Sequence, residues 1–211
     1  MNSPAAQHGP DVVFFDFGGV LAEEGFRNGI KALAQNQKLD PEIVFNTAVE
    51  AVFNSGYLVG RCSEADYWQR LRDAAGLSGT DALLREELLG RFVLRPRMFA
   101  CLDRLAQAGR RLAILSDQTG WLDELDRRHG FFQRFERVFN SYHVGLHKRD
   151  VACFANALAQ MQVAAADALF IDDMLPNVEL ARTCGLAAIH YQTQDEFDRE
   201  LAHYCPEIGV H

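Results

Sequence analysis

The chain has no apolar run approaching the roughly 18 residues that a membrane-crossing helix requires. It also lacks an excess of positive charge: 21 Lys and Arg stand against 29 Asp and Glu, a formal net charge of −8 at pH 7. That balance excludes non-specific attachment to nucleic acid or to an anionic membrane surface. It also requires a locally positive site for any anionic ligand, because the overall field repels one. Cysteine is sparse and scattered: Cys62, Cys101, Cys153, Cys184 and Cys205, with no C-x-x-C pair. Reduced thiols packed in a core are expected, as in a cytoplasmic protein. The opening MNSPAAQHGPDVV has neither a basic start nor an apolar stretch, so no secretory leader is expected there. Internal repeats and low-complexity tracts are missing as well.

What is present suits an ordinary globular protein: 211 residues, 48% hydrophobic and 24% charged. Residues 1–11, with Pro4, Gly9 and Pro10, read as a flexible lead-in. Val12-Val13-Phe14-Phe15 is a short unbroken apolar run before Asp16-Phe17-Gly18-Gly19, which predicts a buried strand ending in a glycine turn. From about 22 to 94 the spacing turns helical, with candidate helices at 27–36, 41–54, 64–75 and 80–92; Asp40 and Ser63 are plausible N-caps. After Pro96, strands at 112–115, 137–140, 168–171 and 187–190 alternate with helices near 97–108, 121–128, 151–161, 176–185 and 195–203. This alternation predicts an α/β fold, a three-layer parallel sheet with helices on both faces. Residues 1–21 and 95–211 would form the core and 22–94 a helical subdomain.

Polar residues follow the carboxyl ends of four predicted strands: Asp16, Ser116, Lys148 on the loop after 137–140, and Asp172 with Asp173. In an open parallel sheet the ligand crevice lies outside those ends. A carboxylate there can attack phosphorus, splitting a hard hydrolysis into two steps through an aspartyl-phosphate. Magnesium prefers oxygen ligands, which Asp16, Asp173 and Asp172 would supply. Lys148 and Ser116, with the backbone N–H groups of Gly18 and Gly19, suit a phosphate group.

Asp16-Phe17-Gly18-Gly19-Val20-Leu21 resembles the first motif of the haloacid dehalogenase superfamily. Leu112 to Ser116 is similar to the second, Val144 to Asp150 around Lys148 to the third, and Phe170-Ile171-Asp172-Asp173 with Asn177 to the fourth. Each motif alone is weak; the ordered set is specific. The resemblance implies a Rossmann-like core with a helical cap at 22–94. Ser55 to Trp68 is similar to the cap of the branch holding the epoxide hydrolase N-terminal phosphatase domain and bacterial sugar-1-phosphate phosphatases. It further implies a Mg²⁺-dependent phosphatase of small phosphorylated metabolites, a monomer or homodimer. Asp16 would be the nucleophile, Ser116 and Lys148 its catalytic partners, and Gly18, Gly19 and Asn177 would join them around substrate. Asp16, the Gly18 carbonyl, Asp172 and Asp173 would hold the metal.

Three positions depart from that pattern. Gly18 stands where most family phosphatases carry the acid–base Asp, so better leaving groups such as sugar 1-phosphates, acyl phosphates or aryl phosphates are expected. Glu23 or Glu24 is a candidate substitute, or simply a helix-start carboxylate. Asp117 replaces a frequent Asn, and must be turned away or paired beside a phosphate. Arg149 replaces a frequent Pro and reads as a surface residue. Two rivals remain open: a metal-independent 2-haloacid dehalogenase, and a non-catalytic binding or regulatory protein. His143 and His147 read as loop histidines, the 131–139 segment as core, and Tyr57 and Trp68 as packing of the helical subdomain.

Overall fold

The computed structural model describes residues 9–208, so most of the expected lead-in lies outside the described residues. Five parallel strands form one sheet: β1 (Val12–Phe15), β2 (Arg111–Ser116), β3 (Arg137–Asn140), β4 (Ala168–Asp172) and β5 (Ala187–His190). Their order is β3-β2-β1-β4-β5. Strand order reverses between β1 and β4, and this switch point is where a doubly wound sheet opens a crevice. The register places Phe15 beside Ile114 on one side and Ile171 on the other, so Asp16 and Asp172 emerge at the same level.

Alternate strand residues enter two separate cores, as a period of two requires. Val13, Phe15, Leu112, Ile114, Leu169 and Ile171 face α5 (Pro96–Gln107), α6 (Trp121–His129) and α10 (Gln194–Tyr204). Val12, Phe14, Ala113, Leu115 and Phe170 face α8 (Val151–Met161) and α9 (Leu175–Thr183). Each strand buried on both faces therefore reads as a continuous apolar run. Among the cysteines, all free, Cys101, Cys153 and Cys205 lie buried in these cores and Cys62 and Cys184 are half-buried.

Between β1 and α5 the chain inserts α1 (Gly25–Asn36), α2 (Pro41–Asn54), α3 (Glu64–Ala75) and α4 (Asp81–Leu89). Asp40 caps α2, accepting from Glu42 and Ile43 N–H, with Pro41 at the first turn. Ser63 and Asp66 form a capping box on α3. The expected helix at 27 begins earlier, at Gly25, because Glu24 accepts the Arg27 N–H at 2.8 Å. The insertion leaves and returns at one place, where Ala22 bridges Leu94 in antiparallel fashion. A 3-10 turn at Tyr57–Val59 and the short helix α7 (Ser141–Val144) have no counterpart in the sequence pattern.

Candidate active site

Asp16 follows β1 directly and is buried. Its Oδ1 accepts the Phe17 N–H at 2.7 Å and the Ser116 hydroxyl at 2.6 Å. Its Oδ2 lies 2.7 Å from Lys148 Nζ, which also donates to Asp172 Oδ2 at 2.5 Å. The carboxylate is thus fixed in one rotamer by three donors from three segments, a charge-assisted arrangement that suits a preorganised attacking group. Ser116 and Lys148 are each 2% exposed. Burial alone would favour a neutral amine at Lys148, but Asp16, Asp172 and Asp117 outweigh it and keep the ammonium well above its ordinary pKa.

Asp172 ends β4 and is fully buried. Its Oδ1 accepts the Met174 N–H at 2.7 Å, and the Asn177 amide lies 3.2 Å from both its oxygens. Asn177 therefore reaches the site by holding Asp172. Burial, partly offset by Lys148, raises the Asp172 pKa. Burial and the neighbouring Asp16 raise that of Asp173. One carboxylate oxygen from each of Asp16, Asp172 and Asp173 lies within 4.8 Å of the others. Three crowded carboxylates with a single ammonium between them form a hard-oxygen set that suits a small divalent cation.

Gly19 has φ +81°, and a Cβ there would sit 2.3 Å from the Asp173 carboxylate. Only glycine lets this turn close onto the acidic pair. Gly18 is confined differently: a Cβ would meet Gln118 Nε2 at 3.3 Å and the Phe92 ring at 3.5 Å. Gln118 and Phe92 thus border the position of the usual acid–base residue, and neither was singled out from the sequence. Phe92 stacks on Phe17 at 5.9 Å and Phe17 on Phe131 at 4.9 Å, so the 131–139 segment contributes core.

The flanking polar residues have defined partners. Asp117 accepts the Lys148 N–H at 2.9 Å, and this engages the extra carboxylate with the lysine loop. Glu23 pairs with Arg95, whose other nitrogen donates to the Gly19 carbonyl at 2.8 Å. Glu24 is half-buried at the head of α1; burial raises its pKa, opposed by the Arg27 N–H, with further increments from the charges of Asp173 and Asp16. His143 pairs with Asp123 at 2.6 Å. Arg149 is exposed and stacks over Phe53 at 3.8 Å. Tyr57, Tyr67 and Trp68 pack with Trp121 in the seam between insertion and sheet.

Fold and site together define a hydrolase of the haloacid dehalogenase superfamily: the haloacid dehalogenase-like hydrolase model matches residues 10–185, and the chain belongs to that family. A drimenol cyclase from Aspergillus calidoustus is 37% identical over 67 residues, 32% of this chain and 13% of the cyclase. The chain thus matches only a small part of that relative's length. A sesquiterpene phosphatase from Aspergillus oryzae is 27% identical over 135 residues, 62% of this chain and 68% of that protein. A haloacid dehalogenase family enzyme from Bacteroides thetaiotaomicron shares the fold at a TM-score of 0.74 with 18% identity, covering 92% of this chain and 98% of the other. That enzyme has also been solved in complex with magnesium and inorganic phosphate. No helix among the described residues is long and apolar enough to cross a membrane.

Proposed function

We propose that the chain is a Mg²⁺-dependent phosphatase of small phosphorylated metabolites, acting through an aspartyl-phosphate on Asp16. The observation that carries this reading is the Asp16 carboxylate clamped between Ser116 and Lys148, with Asp172 and Asp173 within 4.8 Å. Asp16, Asp172, Asp173 and the Gly18 carbonyl would hold the metal, which neutralises charge on the phosphoryl group and the attacking carboxylate. A carboxylate oxygen of Asp16 attacks phosphorus as the ester P–O bond breaks and the leaving oxygen departs as an anion that solvent protonates; water then attacks phosphorus of the acyl phosphate, gives up a proton to solvent, and inorganic phosphate leaves with the carboxylate restored. Lys148 keeps Asp16 aligned, Ser116 and the Gly18–Gly19 turn donate to phosphoryl oxygens, and residues 22–94 act as the cap. The acidic trio also favours this chemistry over a metal-independent dehalogenase, in which such crowding would only cost stability.

Gly18 cannot donate a proton, and general acid catalysis is worth roughly 10²–10⁴-fold. Leaving groups that depart without protonation are therefore preferred: anomeric sugar phosphates, acyl phosphates and aryl phosphates. A second reading, a terpenoid monophosphate, follows the named activity of the Aspergillus oryzae relative, matched over 62% of this chain and 68% of that protein. An alkoxide leaving group needs a proton, and Glu24, with its raised pKa, would be the donor. A phosphate screen with magnesium and EDTA arms, including glucose 1-phosphate, p-nitrophenyl phosphate and farnesyl phosphate, decides between them. Asp16→Asn should abolish every activity found. Hydrolysis that survives that change or EDTA would overturn the mechanism.

A further inference from the structure

A cavity of about 400 Å³ opens where the helical insertion meets the lysine loop, with Phe53, Leu58 and Arg61 on one side and Leu146, His147 and Asp150 on the other. Its volume falls in the range of small-molecule sites. Among the described residues, none of Asp16, Ser116, Lys148, Asp172 and Asp173 lines it. The wall is divided by chemistry. Phe53, Leu58 and Leu146 supply an apolar side, while Arg61 supplies a guanidinium and His147 a polar ring. The lining acid, Asp150, is engaged in capping α8, accepting the Ala152 N–H at 2.9 Å. Arg149 adds a second guanidinium just outside, stacked on the Phe53 ring. His147 Nδ1 is buried and has no hydrogen-bond partner among the described residues, a polar atom that the protein itself leaves unsatisfied. In a chain of net charge −8, Arg61 and Arg149 place two guanidiniums at this cavity against the single lining carboxylate of Asp150.

We infer that this cavity is an effector site for a small organic anion with one oxyanion head, carboxylate or phosphate, and an apolar body. The body lies against Phe53, Leu58 and Leu146, and the head meets Arg61. Two paths connect it to the reacting groups. His147 immediately precedes Lys148. Leu58 offers its carbonyl to Ser141 Oγ at 3.0 Å, and the same hydroxyl is 3.0 Å from the Gln118 carbonyl. Gln118 in turn borders Gly18. An occupant touching both walls holds insertion and lysine loop in one relation, and so biases the state in which Lys148 and Gln118 are placed for turnover. The regulatory part rests on the phosphatase reading; the binding part does not.

The test titrates the full chain, with magnesium, using phenylacetate and the non-hydrolysable phenylphosphonate, followed by calorimetry. Phenylacetate should bind saturably, equally well to wild type and Asp16→Asn, and at least about tenfold more weakly to Arg61→Ala. Arg61→Lys should recover most of that loss. Phenylacetate should change turnover of p-nitrophenyl phosphate about fivefold or more in wild type and not in Arg61→Ala. Phenylphosphonate that displaces phenylacetate from Asp16→Asn marks phosphate as an acceptable head; failure to displace marks carboxylate. Absence of saturable phenylacetate binding, or equal binding by Arg61→Ala, overturns the site. Binding without any effect on turnover overturns the regulation alone. If no phosphate ester is hydrolysed at all, the phosphatase reading fails while calorimetry still judges the cavity.

Discussion

Replacing Lys148 by Met should show how much of the site is held together by one ammonium. Its Nζ lies 2.7 Å from Asp16 and 2.5 Å from Asp172, both buried. Without it the two carboxylates face each other with no charge between them. At the 4.8 Å limit of the acidic cluster, two like charges at an effective dielectric of about 20 repel by about 3.5 kcal/mol. Breaking a buried ion pair by removing one partner typically costs about 3–5 kcal/mol, in the same range. Lys148→Met should therefore lose about 3–5 kcal/mol in urea denaturation at mildly alkaline pH without magnesium. The sign of the pH dependence follows from the raised carboxyl pKa values. A carboxyl whose folded-state pKa exceeds its unfolded value favours folding while protonated, and that advantage is lost as pH rises through the folded value. The deficit should thus shrink toward pH ~5, and millimolar magnesium should reduce it at high pH. A loss below about 1 kcal/mol, within the range of an exposed pair, or one indifferent to both pH and magnesium, would refute the view that Lys148 neutralises this cluster.

Asp173→Asn should raise the magnesium concentration needed for half-maximal activity by about 10–100-fold; an unchanged metal titration would move the ion elsewhere. Gly19→Ala should destabilise the fold by about 1–3 kcal/mol, since the φ of +81° and the 2.3 Å approach to Asp173 both resist a Cβ; thermal denaturation checks it. Gly18→Asp restores the missing acid and should raise hydrolysis of alkyl phosphates more than that of p-nitrophenyl phosphate, provided Gln118 gives way from its 3.3 Å contact. Equal gains on both substrates would count against a proton-transfer deficit.

The strands and the grouping of Asp16, Ser116, Lys148 and Asp172 were legible because both follow from local pattern. Four to six buried residues announce a strand, and a parallel sheet brings all its carboxyl ends to one side. Helix starts at Pro41 and Glu64 were legible for the same reason, since caps are written in adjacent residues. What escaped depends on residues far apart in the chain. Nothing near Phe92 signals that its ring will lie beside Gly18, and nothing near Ser141 signals the Leu58 carbonyl. The target of Asp117 was hidden likewise: a carboxylate next to Ser116 looks misplaced beside a phosphate until the Lys148 main chain is found receiving it. Asn177, expected to support the site or to cap the first turn of its helix, donates to both Asp172 oxygens at 3.2 Å, a contact set by the turn into α9 and not by composition.

The bridge between Ala22 and Leu94 gives the four inserted helices a single neck. The chain ends of the insertion meet the sheet layer there, and the rest of it rests on that layer through seam contacts such as Tyr57, Tyr67 and Trp68 on Trp121 and the Leu58 carbonyl with Ser141. Changes within residues 22–94 that keep those seam contacts therefore leave the level of Asp16 relative to Asp172 to the register of β1 with β4. Selectivity can drift in such a protein while the reactive groups stay where the strands put them, and a chimera carrying a foreign insertion on this neck would be the direct way to see that freedom.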